Sequence, residues 1–144
     1  DFIYCRQTLE DLYNPFLLCQ EMQRVGKAGY IETPSPIAEM GRGVDVGSPP
    51  FRGYHHHRWV VWDNAGELTF VSKYPIVEHF KLNEEQIVHD LRSGPRAWST
   101  IYPWTGGFKF RHLQNPIDYF MPTEYIDVII AAVAGNSYQK AVAA

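Results

Sequence analysis

The sequence predicts a single-domain α/β fold. It places a strand–helix–strand unit over residues 1–36, a long loop over 37–54, a β-hairpin over 55–74 and a mainly helical or irregular extension over 75–144. Three observations carry this. Residues 1–5 (DFIYC) are a short apolar run of strand type that ends in a polar, acidic loop. Leu18, Met22 and Val25 recur at i, i+4 and i+7, which lays one apolar stripe along a helix. Two β-rich runs, 59–62 (WVVW) and 68–71 (LTFV), flank a turn containing Asn64 and Gly66, residue types that tolerate the positive backbone angles of tight turns.

Taken in order, each element has a local cause. Asn14 can cap the free amides of a first helical turn, and Pro15 lacks the amide that would go unpaired there. Gly26 stops that helix. Tyr30 and Ile31 form a second strand, which ends where Pro34 and Pro36 remove ladder donors. From Ile37 to Tyr54, Gly, Pro, Ser and Arg dominate without a sustained period, with room for one helical turn at residues 37–40; loops of this length are often functional. The glycines at 41, 43 and 47 neither follow a strand nor open a helix, so they lack the context of a cofactor-binding turn. Beyond the hairpin, residues 76–80 form a short helix after Pro75. A second helix over 83–92 is capped by Asn83 and ended by Gly94 and Pro95. Residues 98–104 are aromatic and irregular, 108–113 alternate in strand fashion, and 122–134 form an apolar helix that breaks at Gly135 and Asn136.

Composition excludes several classes. The formal charge of −3, with no stripe of Lys or Arg, argues against a nucleic-acid partner. No apolar run reaches the length of a membrane span and the N-terminus is not a signal peptide, so no membrane partner is expected and the cytoplasm is the expected location. Cys5 and Cys19 sit inside regular elements and read as buried thiols.

Residues 1–36 resemble the class I S-adenosylmethionine (SAM)-dependent methyltransferases of the methyltransferase type 11-like group. Asp1 to Cys5 match the fourth strand of that family and Leu9-Glu10-Asp11-Leu12 its "LEH" loop, with Asp11 where His is commoner. Glu21 to Val25 match the following helix end and Gly29 to Pro34 the fifth strand. The resemblance implies an incomplete Rossmann-like methyltransferase sheet, made of the later strands with the hairpin as its closing pair, followed by the C-terminal extension. It implies SAM as cofactor, methyl transfer to a small-molecule or unknown acceptor, and, because the Gly-rich SAM loop has no counterpart here, a truncated or partial domain whose activity on its own is not implied. An alternative is a non-catalytic scaffold that pairs with a partner or with itself through the sheet edge left exposed.

The candidate site residues follow from placement. Arg6, Gln7 and Glu10 lie just past the carboxyl end of a parallel strand, where open α/β sheets bind ligands, and are the cofactor-binding candidates; for Glu10 the competing reading is a residue that caps or positions the following helix. Tyr4 and Cys5 are expected to pack. His55, His56 and His57 are the candidate catalytic residues, because imidazoles move protons near neutral pH. No metal site is assigned: side chains on a strand point to alternate faces, so three adjacent histidines do not converge on one ion without a sharp loop.

Overall fold

The computed structural model describes residues 1–46, 50–113 and 122–135. Among them the chain is mixed α/β. Its strands are β1 (Phe2–Arg6), β2 (Ala28–Pro34), β3 (Trp59–Asn64), β4 (Glu67–Ser72), β5 (Ser99–Thr105) and β6 (Lys109–His112); its helices are α1 (Pro15–Val25), α2 (Pro36–Met40), α3 (Glu84–Arg92) and α4 (Pro122–Val133). Short 3₁₀ turns occupy Pro75–His79 and Pro95–Trp98.

Two three-stranded sheets result, ordered β1-β2-β5 and β3-β4-β6. β1 and β2 are parallel, joined through α1, with Phe2 opposite Ala28 and Arg6 opposite Glu32. β5 adds antiparallel to the other side of β2, with Tyr102 opposite Ile31. The hairpin β3–β4 does not close this sheet, as the sequence led us to expect; it forms its own sheet with β6 parallel to β4. The strand that closes the first sheet is β5, in the stretch expected to be irregular. Its Pro103 has no amide to donate, which an edge strand tolerates. The region after residue 74 is therefore more than a helical or irregular extension: beside α3, α4 and the two 3₁₀ turns it supplies one strand to each sheet.

Local signals behave as their chemistry requires. Asn14 Oδ1 accepts from the Leu17 amide at the start of α1, and Asn83 Oδ1 from the Gln86 amide at the start of α3. The hairpin turn is Ala65-Gly66, both with positive φ, while Asn64 stays in β3; Asp63 Oδ1 accepts from the Gly66 amide. Residues 76–80 give a 3₁₀ turn, and α4 ends before Gly135, which takes φ 68°. Asn136 and Gly47 lie outside the described residues.

The core has two parts, one on each face of the β3–β4 sheet. Trp59, Val61, Leu68 and Phe70 pack with Cys5, Cys19, Met22, Ile31, Tyr102 and Trp104 from the first sheet and α1. Val60, Trp62 and Val71 pack on the opposite side against Met40, Ile87, Tyr125, Val128 and Ile129 from α2, α3 and α4. Both thiols are free and buried. Burial on both faces explains why β3 reads as an unbroken apolar run rather than an alternating one. Among the described residues the outer face of the first sheet is left open: Phe2 and Tyr4 are each 65 % exposed, so Tyr4 does not pack into the core but stacks on Tyr30. Among the described residues no helix is long and apolar enough to cross a membrane.

Candidate functional site

The loop that leaves β1 and the loop that enters β3 meet. Arg58 and Trp59 amides donate to the Glu10 carbonyl, at 2.8 and 3.3 Å, and Trp59 Nε1 donates to the Leu12 carbonyl at 2.8 Å. These bonds hold residues 10–12 against the histidine segment. That segment is not strand: His55 and His56 form a turn, and β3 begins only at Trp59. The alternation that would send adjacent histidines apart therefore does not apply. His56 Nε2 and His57 Nε2 each lie 3.7 Å from Asp11 Oδ1.

His57 is fixed from behind. Its Nδ1 stands 2.5 Å from Glu39 Oε1, and Lys73 Nζ donates to Glu39 Oε2 at 2.6 Å. Glu39 is on α2 and almost completely buried, and Lys73 lies just past β4. With Lys73 on one oxygen, the Glu39 carboxylate offers the other to His57 Nδ1, and His57 Nε2 is left facing Asp11. Lys73 also donates to the carbonyls of Arg52 and Tyr54, tying the loop before the histidines to the same group. Gly53 takes φ 56° where a Cβ would run into the Glu39 backbone, with its Cα only 2.6 Å away, so this close approach requires glycine.

Glu10 is, with Glu39, the second buried acid of this region. It does not cap α1; Asn14 does. Beyond its own amide neither carboxylate oxygen has a hydrogen-bond partner. Burial pushes the carboxyl up to about 7, against the partial relief that its own amide and His57 provide.

The other expected site residues lie apart from this group. Arg6 directs its guanidinium to Glu32 at 3.2 Å on the outer face of the first sheet. There Glu32 remains below its usual range although burial opposes this, because Tyr30, Ser99 and Arg6 donate to it. Gln7 adopts φ 48° and gives its amide to the Glu32 carbonyl. His55 is exposed and bonds Asp45 Oδ2 at 2.8 Å. Of Arg6, Gln7 and Glu10, only Glu10 belongs with the histidines.

These histidines open onto a cleft of 650 Å³, also lined by Tyr13, Arg58, Ser72 and Lys73. Arg58 lies 5.4 Å over the Tyr13 ring at its rim. The arrangement offers, at the cleft, an imidazole held from behind by one carboxylate, with a second, Asp11, 3.7 Å from its Nε2, a constellation suited to taking a proton or holding a cation. Asp11, Glu39 and Lys73 are site residues that the sequence reading passed over. Glu39 had one available signal, an acid within an otherwise apolar turn. Comparison with protein-family models, with curated proteins and with solved structures finds no match.

Proposed function

We propose that this chain is the later-strand portion of a SAM-dependent methyltransferase-like domain of Rossmann type, acting in the cytoplasm, and that the histidine cleft is its methyl-acceptor side. The observation that carries this is the position of the cleft. The loop leaving the carboxyl end of β1, in a parallel β1–α1–β2 unit, supplies Tyr13 to its lining and sets Asp11 Oδ1 3.7 Å from the Nε2 atoms of His56 and His57, and ligands of open α/β sheets bind outside that strand end. The antiparallel β5 beside β2 supports the reading, since the resembled fold closes its fifth strand with antiparallel partners. In such a reaction the acceptor attacks the electrophilic methyl of SAM, and the protein's main contribution is alignment. His56 and His57 face the acceptor. Gln7 and Glu10 stand on the cofactor side, and Arg6 is committed to Glu32.

The test is calorimetric titration with S-adenosylhomocysteine, on residues 1–144 and on any longer product of the same reading frame. Binding by the longer product supports the reading, and binding by residues 1–144 extends it to a pocket without the usual glycine loop. Binding by neither overturns it. A second reading, the non-catalytic scaffold, is favoured by one observation: β1 is a sheet edge whose apolar Phe2 and Tyr4 are exposed.

A further inference from the structure

We propose that Asp11, His56 and His57 bind one first-row divalent cation of the Zn²⁺ class, leaving a coordination position open to the cleft. The three donor atoms all lie within 4.8 Å of one another, and both imidazole Nε2 atoms are 3.7 Å from Asp11 Oδ1. A tetrahedral ion with bonds of about 2.0–2.2 Å sets its ligand atoms about 3.4 Å apart. The two separations from Asp11 already approach that spacing. His56, whose side chain is 54 % exposed, has the freedom to complete it.

Two further observations point to an ion at this place. The first is the support behind His57. A metal-ligating imidazole characteristically gives its other ring N–H to a carboxylate, which fixes the tautomer and presents the free nitrogen to the metal. Glu39 Oε1 receives that bond here, and Glu39 is in turn held by Lys73. The second is Glu10. It is 1 % exposed and electrostatically coupled to both His57 and Asp11, yet its two oxygens lack any partner from another residue. A buried acid left so is costly, and a cation bound beside it would offset that cost.

Asp45, His55 and His56 form a second cluster that shares His56. It includes no buried histidine, and among the described contacts no carboxylate stands behind its imidazoles as Glu39 stands behind His57. The first cluster is therefore the site. Two imidazoles and one carboxylate suit Zn²⁺ or Co²⁺; Mg²⁺ prefers oxygen ligands and retains its waters. The site does not depend on the methyltransferase reading, and S-adenosylhomocysteine binding neither supports nor opposes it.

The experiment uses the full chain, freed of metal with a chelator, and Zn²⁺ alone as the calorimetric probe, with Co²⁺ as the spectroscopic one. One equivalent of Zn²⁺ is expected, with the visible absorption of four-coordinate Co²⁺ and no measurable Mg²⁺ binding. Asp11→Asn and His56→Ala replace exposed side chains, so they are expected to keep the circular dichroism spectrum while lowering Zn²⁺ affinity at least tenfold. Glu39→Gln is expected to lower it roughly 10–100-fold through His57 alone. The double variant Asp45→Asn/His55→Ala is expected to bind as the parent does. No binding, binding that survives Asp11→Asn and His56→Ala, or binding lost only in the Asp45/His55 variant would each overturn the assignment.

Discussion

Glu10 shows how much one side chain depends on its surroundings. Its carboxyl belongs at 4.5 by chemistry and at about 7 in the fold. Below the lower value both the folded and the unfolded chain hold the proton. Between the two values the folded protein keeps a proton that the unfolded chain has released. Stability is therefore fully present at low pH, falls as the pH rises through that interval, and levels off above about 7. The full shift corresponds to up to about 3 kcal/mol. We expect urea denaturation of the chelator-treated protein between pH 5 and 8 to show this decline, and Glu10→Gln, which keeps the shape and removes the charge, to lose that part of the slope and to exceed the parent in stability at pH 8. A variant slope equal to the parent's would show that Glu10 is not the group responsible. The sequence put Glu10 at the carboxyl end of a parallel strand, and in the structure it is buried within electrostatic reach of His57. It offered no means of separating Glu10 from Arg6, because what separates them is the Arg6–Glu32 pair on the outer face of the sheet, a contact between strands.

At the scale of elements, the organising residue between residue 41 and the start of β3 is Arg52, fully buried in the loop. Its guanidinium donates to the carbonyls of Met40, Val77 and Phe80 and to both oxygens of Glu84. It thereby joins the end of α2, the 3₁₀ turn at residues 75–79 and the first turn of α3. Glu78 adds a carboxylate oxygen on the Arg52 amide. Arg52→Met removes every one of these side-chain donors; the Val77 carbonyl keeps the Phe80 amide, while the carbonyls of Met40 and Phe80 and the Glu84 carboxylate lose the guanidinium. We expect it to cost on the order of 3 kcal/mol, read as a lowered denaturation midpoint, whereas Arg58→Met, at the exposed rim, should change stability little. The contrast also explains which elements the sequence revealed. α1, α3 and the β3–β4 hairpin carry their own start and stop signals within a few residues, at Asn14-Pro15, Asn83 and Ala65-Gly66. Arg52 meets partners 25, 28 and 32 residues away, and β5 forms only because β2 offers an edge some seventy residues earlier, so neither has a local signature. The same holds for the site: Glu39 and Lys73, 34 residues apart, meet only after α2 and the hairpin have packed.

At the scale of the whole molecule, the two sheets form a layered body with one side unfinished. Thr100 Oγ1 donates to the Val61 carbonyl and Tyr102 Oη to the Gly66 carbonyl, so β5 anchors the first sheet to the hairpin. Tyr125 Oη donates to the Ser72 carbonyl and accepts from the Tyr74 amide, anchoring α4 on the opposite side. Nothing equivalent covers the outer face of β1-β2-β5 among the described residues, where Phe2 and Tyr4 are 65 % and Ile101 44 % exposed. The two edges of that sheet differ. β5 carries Pro103, which breaks the row of donors, whereas β1 presents an unbroken row flanked by exposed aromatics and has no charge inside the strand before Arg6. Edge strands that lack such interruptions pair with further strands. We therefore expect residues 1–144 alone to self-associate through β1, with a weight-average mass in sedimentation velocity that rises with concentration. Tyr4→Lys sets a charge on that edge at an exposed position, where the fold has little to lose, and should hold the protein monomeric. A parent that stays monomeric over the whole concentration range, or a variant that associates as the parent does, would mean that β1 is not a pairing edge, and the scaffold reading would lose the observation that favours it.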